Sequence, residues 1–165
     1  MILNRQNGVR VSIQDLEKFL ARARRALGIP AGALTVCLVN NAEIARWNFA
    51  YRGKKKPTDV LSFPANGARG KQKMQNARGQ ASPRRGLRSV RSRTSAASSA
   101  RYLGDIAIAP VVARRNARRF GRAFSDEMRI LILHGILHLM GYDHETDNGR
   151  MDRREQRLRR QLGLA

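Results

Sequence analysis

Apolar residues recur at helical spacing from Ser12 to about Leu27, where Ile13, Leu16, Phe19, Leu20, Ala23 and Leu27 share one face. Ser12 and Asp15 are placed as a capping box at its start, and Gly28 and Pro30 stop it. Leu34 to Val39 (LTVCLV) is a short, continuous, β-branched run and predicts a buried strand. Asn41 then reads as the cap of a helix carrying Ile44, Trp47 and Asn48. Asp59 to Phe63 (DVLSF) predicts a second strand and Gly104 to Ala109 (GDIAIA) a third, after which helical signals dominate. Ser125 to Met140 (SDEMRILILHGILHLM) places acidic residues in its first turn and continues almost wholly apolar, the pattern of a central buried helix. From about Asp147 a last helical pattern turns Met151, Leu158 and Leu162 to the core beneath many exposed arginines.

Ala65 to Arg101 breaks the patterning. It is rich in Gly, Ser, Ala and Arg, holds no acidic residue, and has too few large apolar side chains to offset its ordering entropy. It reads as a disordered loop inserted between neighbouring strands of a single domain spanning residues 1–165. Such a segment suits an RNA-binding arm. A tolerated surface insertion, whose charge aids solubility, explains it as well.

The remainder is strongly basic too. Over the whole chain, 33 Lys and Arg against 12 Asp and Glu give a formal charge of +21. An excess of this size attracts polyanions, so nucleic acid is the expected partner ahead of an anionic membrane surface. Cys37 is the only cysteine, which excludes an intramolecular disulfide, and its place in LTVCLV predicts a buried structural thiol. The N-terminus lacks the apolar stretch of a secretory signal, and no segment approaches the roughly 20 apolar residues of a membrane span. A cytoplasmic protein is expected.

All three histidines fall within HGILHLMGYDH. His134 and His138, four apart, project from one helix face, and Gly141 allows a turn through Tyr142 and Asp143 to return His144 to the same point. Three imidazoles predict one bound zinc ion with a fourth position open to water; iron, nickel and manganese stay open. The spacing resembles the HExxHxxGxxH motif of metzincin proteases, but Gly135 stands where those enzymes place their general base. Peptide hydrolysis by that route is therefore not expected. Asp143 and Glu145 lie close enough in sequence either to replace that base or to orient an imidazole.

WNFAYRGKKKPTDVLSFP, YLGDIAIA and HGILHLMGYDHETD, in that order, resemble the YbeY family of rRNA maturation factors. The resemblance covers nearly the whole chain apart from the basic insertion, which lies where most members have a shorter acidic or neutral loop. It implies an α+β fold, a small mixed sheet packed against helices, with zinc on the central buried helix and the following turn. It implies a single-strand-specific, zinc-dependent endoribonuclease acting in 16S rRNA 3′ end processing and ribosome quality control. Its partners would be rRNA and the small ribosomal subunit, with ribosomal proteins or a GTPase as further candidates.

Arg52 matches the family's usual arginine, which makes Arg52 and His134 the candidate catalytic residues. A guanidinium fork can grip a phosphate in two places, although beside Lys54, Lys55 and Lys56 the same arginine also reads as part of a solvated basic face. Those lysines are candidate RNA contacts. Thr58, Asp59 and Ser62 are candidates for the site floor, although strand capping and turn formation explain Thr58 and Asp59 equally well, and a structural role suits Asp105 better than a catalytic one. Two other readings stay open: a ribosome-associated RNA-binding factor with a structural zinc, and another metal-dependent hydrolase.

Overall fold

The computed structural model describes residues 1–65, 102–143 and 146–164. In chain order the elements are β1 (Ile2–Asn4), α1 (Ile13–Ala26), β2 (Leu34–Leu38), α2 (Asn41–Arg52), β3 (Val60–Pro64), β4 (Gly104–Ile108), α3 (Pro110–Arg119), α4 (Phe124–Leu139) and α5 (Arg150–Leu162). The strands form one sheet in the order β1-β2-β4-β3, parallel except for β3, which pairs antiparallel with β4 at the edge. The expected small mixed sheet against helices is thus what the chain forms.

Alternation along the strands divides the core in two. Val36, Leu38, Ile106 and Ile108 face α1, α4 and α5 in the larger cluster. Cys37, Leu61, Ala107 and Phe63 face Ile44 and Trp47 of α2 in the smaller one. Helix α4 therefore lies on one face of the sheet and α2 on the other. Cys37 is buried as expected, and burial pushes its thiol up to about 11, which keeps it protonated and inert.

Local chemistry sets the element ends. The Ser12 hydroxyl accepts the Asp15 N–H at 3.4 Å and starts α1. Asn40, rather than Asn41, caps α2. Asn40 is extended and its side chain accepts the Glu43 N–H at 2.8 Å, while Asn41 is already helical. Two adjacent asparagines look alike in sequence; only the reach to the third residue along separates them. Pro110 opens α3, where its fixed φ fits and its missing N–H costs nothing.

Gly104 lets the edge strand close. At its φ of 143°, a Cβ would meet the Phe63 carbonyl oxygen at 2.1 Å, so only glycine admits β3 this near to β4. The Ala65 N–H donates to the Leu103 carbonyl at 2.8 Å, which extends the pairing of β3 with β4 by one bond. The disorder expected of 65–101 falls, from residue 66 onward, outside the described residues. Among the described residues, no helix is long and apolar enough to cross a membrane.

Candidate metal centre

Helix α4 is buried nearly all round, and His134 and His138 are its half-buried positions in the C-terminal half. Four residues apart, their rings meet edge to face with centroids 4.7 Å apart. The two Nε2 atoms stand 3.1 Å from each other. Gly141, at φ 92°, reverses the chain after the helix, and the Tyr142 N–H donates to the Leu137 carbonyl at 3.1 Å. That reversal brings the Tyr142 carbonyl within 3.0 Å of His138 Nδ1.

Each imidazole is held from behind. A carbonyl oxygen only accepts, so His138 Nδ1 donates to Tyr142. His134 Nδ1 lies 2.9 Å from Oε2 of Glu155 on α5, and Oε1 of the same carboxylate takes the Arg159 guanidinium. Burial works to raise the Glu155 pKa. The hydrogen bond from His134 and the charge of Arg159 outweigh it and hold the carboxyl below its ordinary range, so Glu155 accepts and His134 Nδ1 donates. An open pocket of about 300 Å³ adjoins His134, lined also by Asp152, Glu155, Gln156 and Arg159.

These bonds fix both tautomers. With each Nδ1 carrying the proton, each neutral ring presents its Nε2 lone pair, and two lone pairs facing across 3.1 Å repel unless a proton or a cation lies between them. Two nitrogens on one tetrahedral zinc ion stand about 3.3–3.4 Å apart, the separation that bonds of about 2.0–2.1 Å impose. The pair fits a divalent ion of this kind, and the carboxylate and carbonyl behind it are the usual outer partners of metal-bound histidine. His144, the third expected ligand, lies outside the described residues, as does Glu145. Among the described residues no group of three His, Cys, Asp or Glu side chains gathers for a metal.

The other expected site residues scatter around this pair. Arg52 is the exposed last residue of α2, and Lys54, Lys55 and Lys56 follow it, also exposed. Lys55 Nζ sits 5.6 Å from the Phe49 ring centroid, and the Lys56 carbonyl accepts from Asn48 at 2.7 Å. Tyr51 meets Phe63 of β3 edge to face at 5.1 Å. On the other face of the same strand the Ser62 hydroxyl donates to the Gly135 carbonyl at 3.3 Å. The arginine and the histidines therefore flank edge strand β3 from its two sides.

Ser62 adjoins the histidine helix, whereas Thr58 and Asp59 make their hydrogen bonds at the start of the strand. The Asp59 carboxylate accepts from Thr58, from the Val60 N–H and from Asn116 of α3, which ties the start of β3 to that helix. Asp105 accepts from the Tyr102 hydroxyl at 2.5 Å. Burial and this bond push the Tyr102 hydroxyl up to about 12. Asp143 accepts from the Thr146 hydroxyl at 3.0 Å and from the N–H groups of Thr146 and Asp147 on its carbonyl, so it shapes the turn. Among the described residues, the carboxylate that orients a histidine is Glu155, which sequence reasoning missed. Its signal was present: in the stripe Met151, Glu155, Leu158, Leu162, a glutamate occupies a core position.

Gly135 packs directly against the sheet. A Cβ there would stand 2.7 Å from Ile106 Cγ2, so the residue following the first histidine points into β4 and away from solvent. A side chain at this position would therefore press on the sheet.

The family model described as endoribonuclease YbeY matches residues 1–163. A protein named endoribonuclease YbeY from Koribacter versatilis is 37% identical over 164 residues, covering 99% of this chain and 86% of its own. Its namesake from Aquifex aeolicus is 35% identical over 136 residues, 82% of this chain and 72% of that one. The solution structure of TM1509 from Thermotoga maritima superposes with a TM-score of 0.55 at 25% identity, over 98% of this chain and 89% of that chain.

Proposed function

This chain belongs to the YbeY family of endoribonucleases, and on that premise we propose that it hydrolyses single-stranded RNA with one zinc ion held by His134, His138 and His144. The observation that carries the reading is the pair of Nε2 atoms converging at 3.1 Å with both Nδ1 atoms engaged. A divalent ion there supplies Lewis acidity toward a phosphate oxygen and lowers the pKa of water. Glu155 and the Tyr142 carbonyl keep the two rings aimed. Arg52 and its neighbouring lysines hold the phosphate, reaching it past edge strand β3, and the net charge of +21 draws RNA in.

The substrate we propose is rRNA on the small ribosomal subunit, with maturation of the 16S 3′ end and ribosome quality control as the setting and the cytoplasm as the place. Ribosomal proteins or a GTPase are the proposed protein partners. The whole chain acts as one domain in this reading.

A second reading, an RNA-binding factor with a structural zinc, draws on one observation. Glu155 and Asp143 are engaged by His134, Arg159 and Thr146, so neither stands ready as a general base, and the remaining described carboxylate beside His134, Asp152, is exposed on the α5 lining of the pocket. Cleavage of single-stranded rRNA fragments by the wild type, Arg52→Ala and His134→Ala, with and without chelator, separates the two. Arg52→Ala is expected to cleave about 10- to 100-fold more slowly, the loss of one or two charge-assisted hydrogen bonds. Equal cleavage by all three proteins sinks the enzymatic reading. The product ends identify the attacking group: a 2′,3′-cyclic phosphate marks the RNA 2′-hydroxyl, and its absence marks water.

A further inference from the structure

Helix α3 and the loop after it, Pro110 to Arg122, hold five arginines and no acidic residue. Val112, Ala113 and Ala117 bury one face of the helix, while Arg115, Arg118, Arg119 and Arg122 are exposed. Arg114 and Arg118, and Arg115 and Arg119, are like-charged pairs at i,i+4, an arrangement that disfavours the helix. The helix dipole accounts for cations in the last turn but not for Arg114 and Arg115. Among the described residues, Arg115, Arg118 and Arg119 have no carboxylate within ion-pair reach; Arg122 pairs with Glu127 at 3.2 Å, and Arg129 with Asp126.

An aromatic ring sits in the middle of this charge. Phe120, at the C-cap of α3, is 54% exposed, and the guanidinium carbons of Arg119 and Arg122 lie 5.8 and 5.2 Å from its ring centroid. One turn on, Arg114 lies 5.2 Å from the Phe124 ring. A large apolar side chain left in solvent between guanidinium groups adds nothing to the core. A base can stack on the ring or on the guanidinium planes beside it, and unpaired arginines track a phosphate backbone.

We propose that this corner, Arg115, Arg118, Arg119 and Phe120, is a second single-stranded RNA contact, separate from the histidine pair. The proposal rests on the RNA reading given above. Charge complementarity selects the occupant. Ten residues of α4 separate Phe124, next to the corner, from His134, about 15 Å along the helix axis, a span of a few nucleotides.

The test is binding of a fluorescent single-stranded RNA of about 16 nucleotides, a length suited to such grooves, to the full chain across a salt series. Chelator is present so that cleavage does not enter. Three variants are compared with the wild type: the triple Arg115→Gln, Arg118→Gln, Arg119→Gln; the single Phe120→Leu; and a charge-matched control triple of exposed residues on and before α1, Arg10→Gln, Lys18→Gln, Arg25→Gln. The α3 triple is expected to lose at least about 10-fold in affinity and to flatten the log–log salt slope by about 2, three contacts at about 0.7 each. Phe120→Leu is expected to weaken binding about 5- to 100-fold with the slope unchanged. The control triple is expected to change the slope by less than half as much.

Equal effects from the two triples, or an unchanged slope in the α3 triple, overturn the proposal. Thermal melts confirm that each variant is folded. If the wild type binds through this corner yet never cleaves when loaded with zinc, the nuclease reading fails and the RNA contact stands. If it cleaves and binds with no dependence on the corner, only this inference fails.

Discussion

Replacing His134 or His138 by alanine is expected to strip the chain of tightly held metal and to lower RNA cleavage by at least about 1,000-fold, beyond the roughly 10- to 100-fold typical of losing an outer partner. The reason is geometric. The two Nε2 atoms converge from one helix face, and no described side chain stands ready to replace either. Because both rings are half-buried at the surface of α4, their loss leaves no large cavity, and the melting temperature should match that of the metal-free wild type. Glu155→Gln belongs to the same series. The amide keeps an acceptor for His134 but gives up the negative charge that raises the imidazole's basicity, so metal affinity should fall about 10- to 100-fold with the fold intact. Metal per chain by mass spectrometry, with cleavage rates on the same samples, checks the ranking. Stoichiometric metal retained in His134→Ala would remove the pair from the site.

Gly135→Glu, which restores the residue that a metzincin protease has at this position, is expected to destabilise the fold by about 5 kcal/mol and to confer no peptidase activity. Its Cβ would meet Ile106 Cγ2 at 2.7 Å, and Ile106 is a fully buried, branched side chain in the middle of β4. Overpacking of that kind costs about 1–3 kcal/mol. An unpaired carboxylate pressed between helix and sheet adds about 3–5 kcal/mol unless it stays protonated. Gly135→Ala incurs the overpacking alone, and its better helix propensity returns about 1 kcal/mol. Urea denaturation of the three proteins reads the order directly. A Gly135→Glu protein as stable as the wild type would mean that α4 does not approach β4 as closely as described.

Periodicity made the buried helices and three of the four strands legible, because Leu16, Phe19, Leu20 and Ala23, or the run Leu34 to Val39, bury residues at spacings that one period explains. Strand β1 escaped notice because Ile2–Asn4 is only three residues long and is defined by pairing with β2. Helix α3 merged into a general helical signal, since arginines occupy most of its exposed positions. The histidine pair was legible from spacing alone. What stands behind it was not: Glu155 lies 21 residues from His134 and reaches it only because α5 packs on α4. Its place in the apolar stripe of α5 marked it as unusual, but no local pattern names the partner of a buried carboxylate. Arg52 is the converse case. The family resemblance singled it out, whereas its placement across β3 from the histidines follows from the sheet order and from Tyr51 resting on Phe63.

The central claim is that this chain cleaves RNA through a single metal ion at the histidine site. Its most direct test is a zinc titration of chelated, metal-free protein, following cleavage of a single-stranded rRNA fragment at each point. The account predicts no cleavage without metal, and a rate that rises with added zinc and levels off at one ion per chain. Cleavage undiminished in the metal-free protein, or a zinc-saturated protein that leaves the RNA intact, would contradict it.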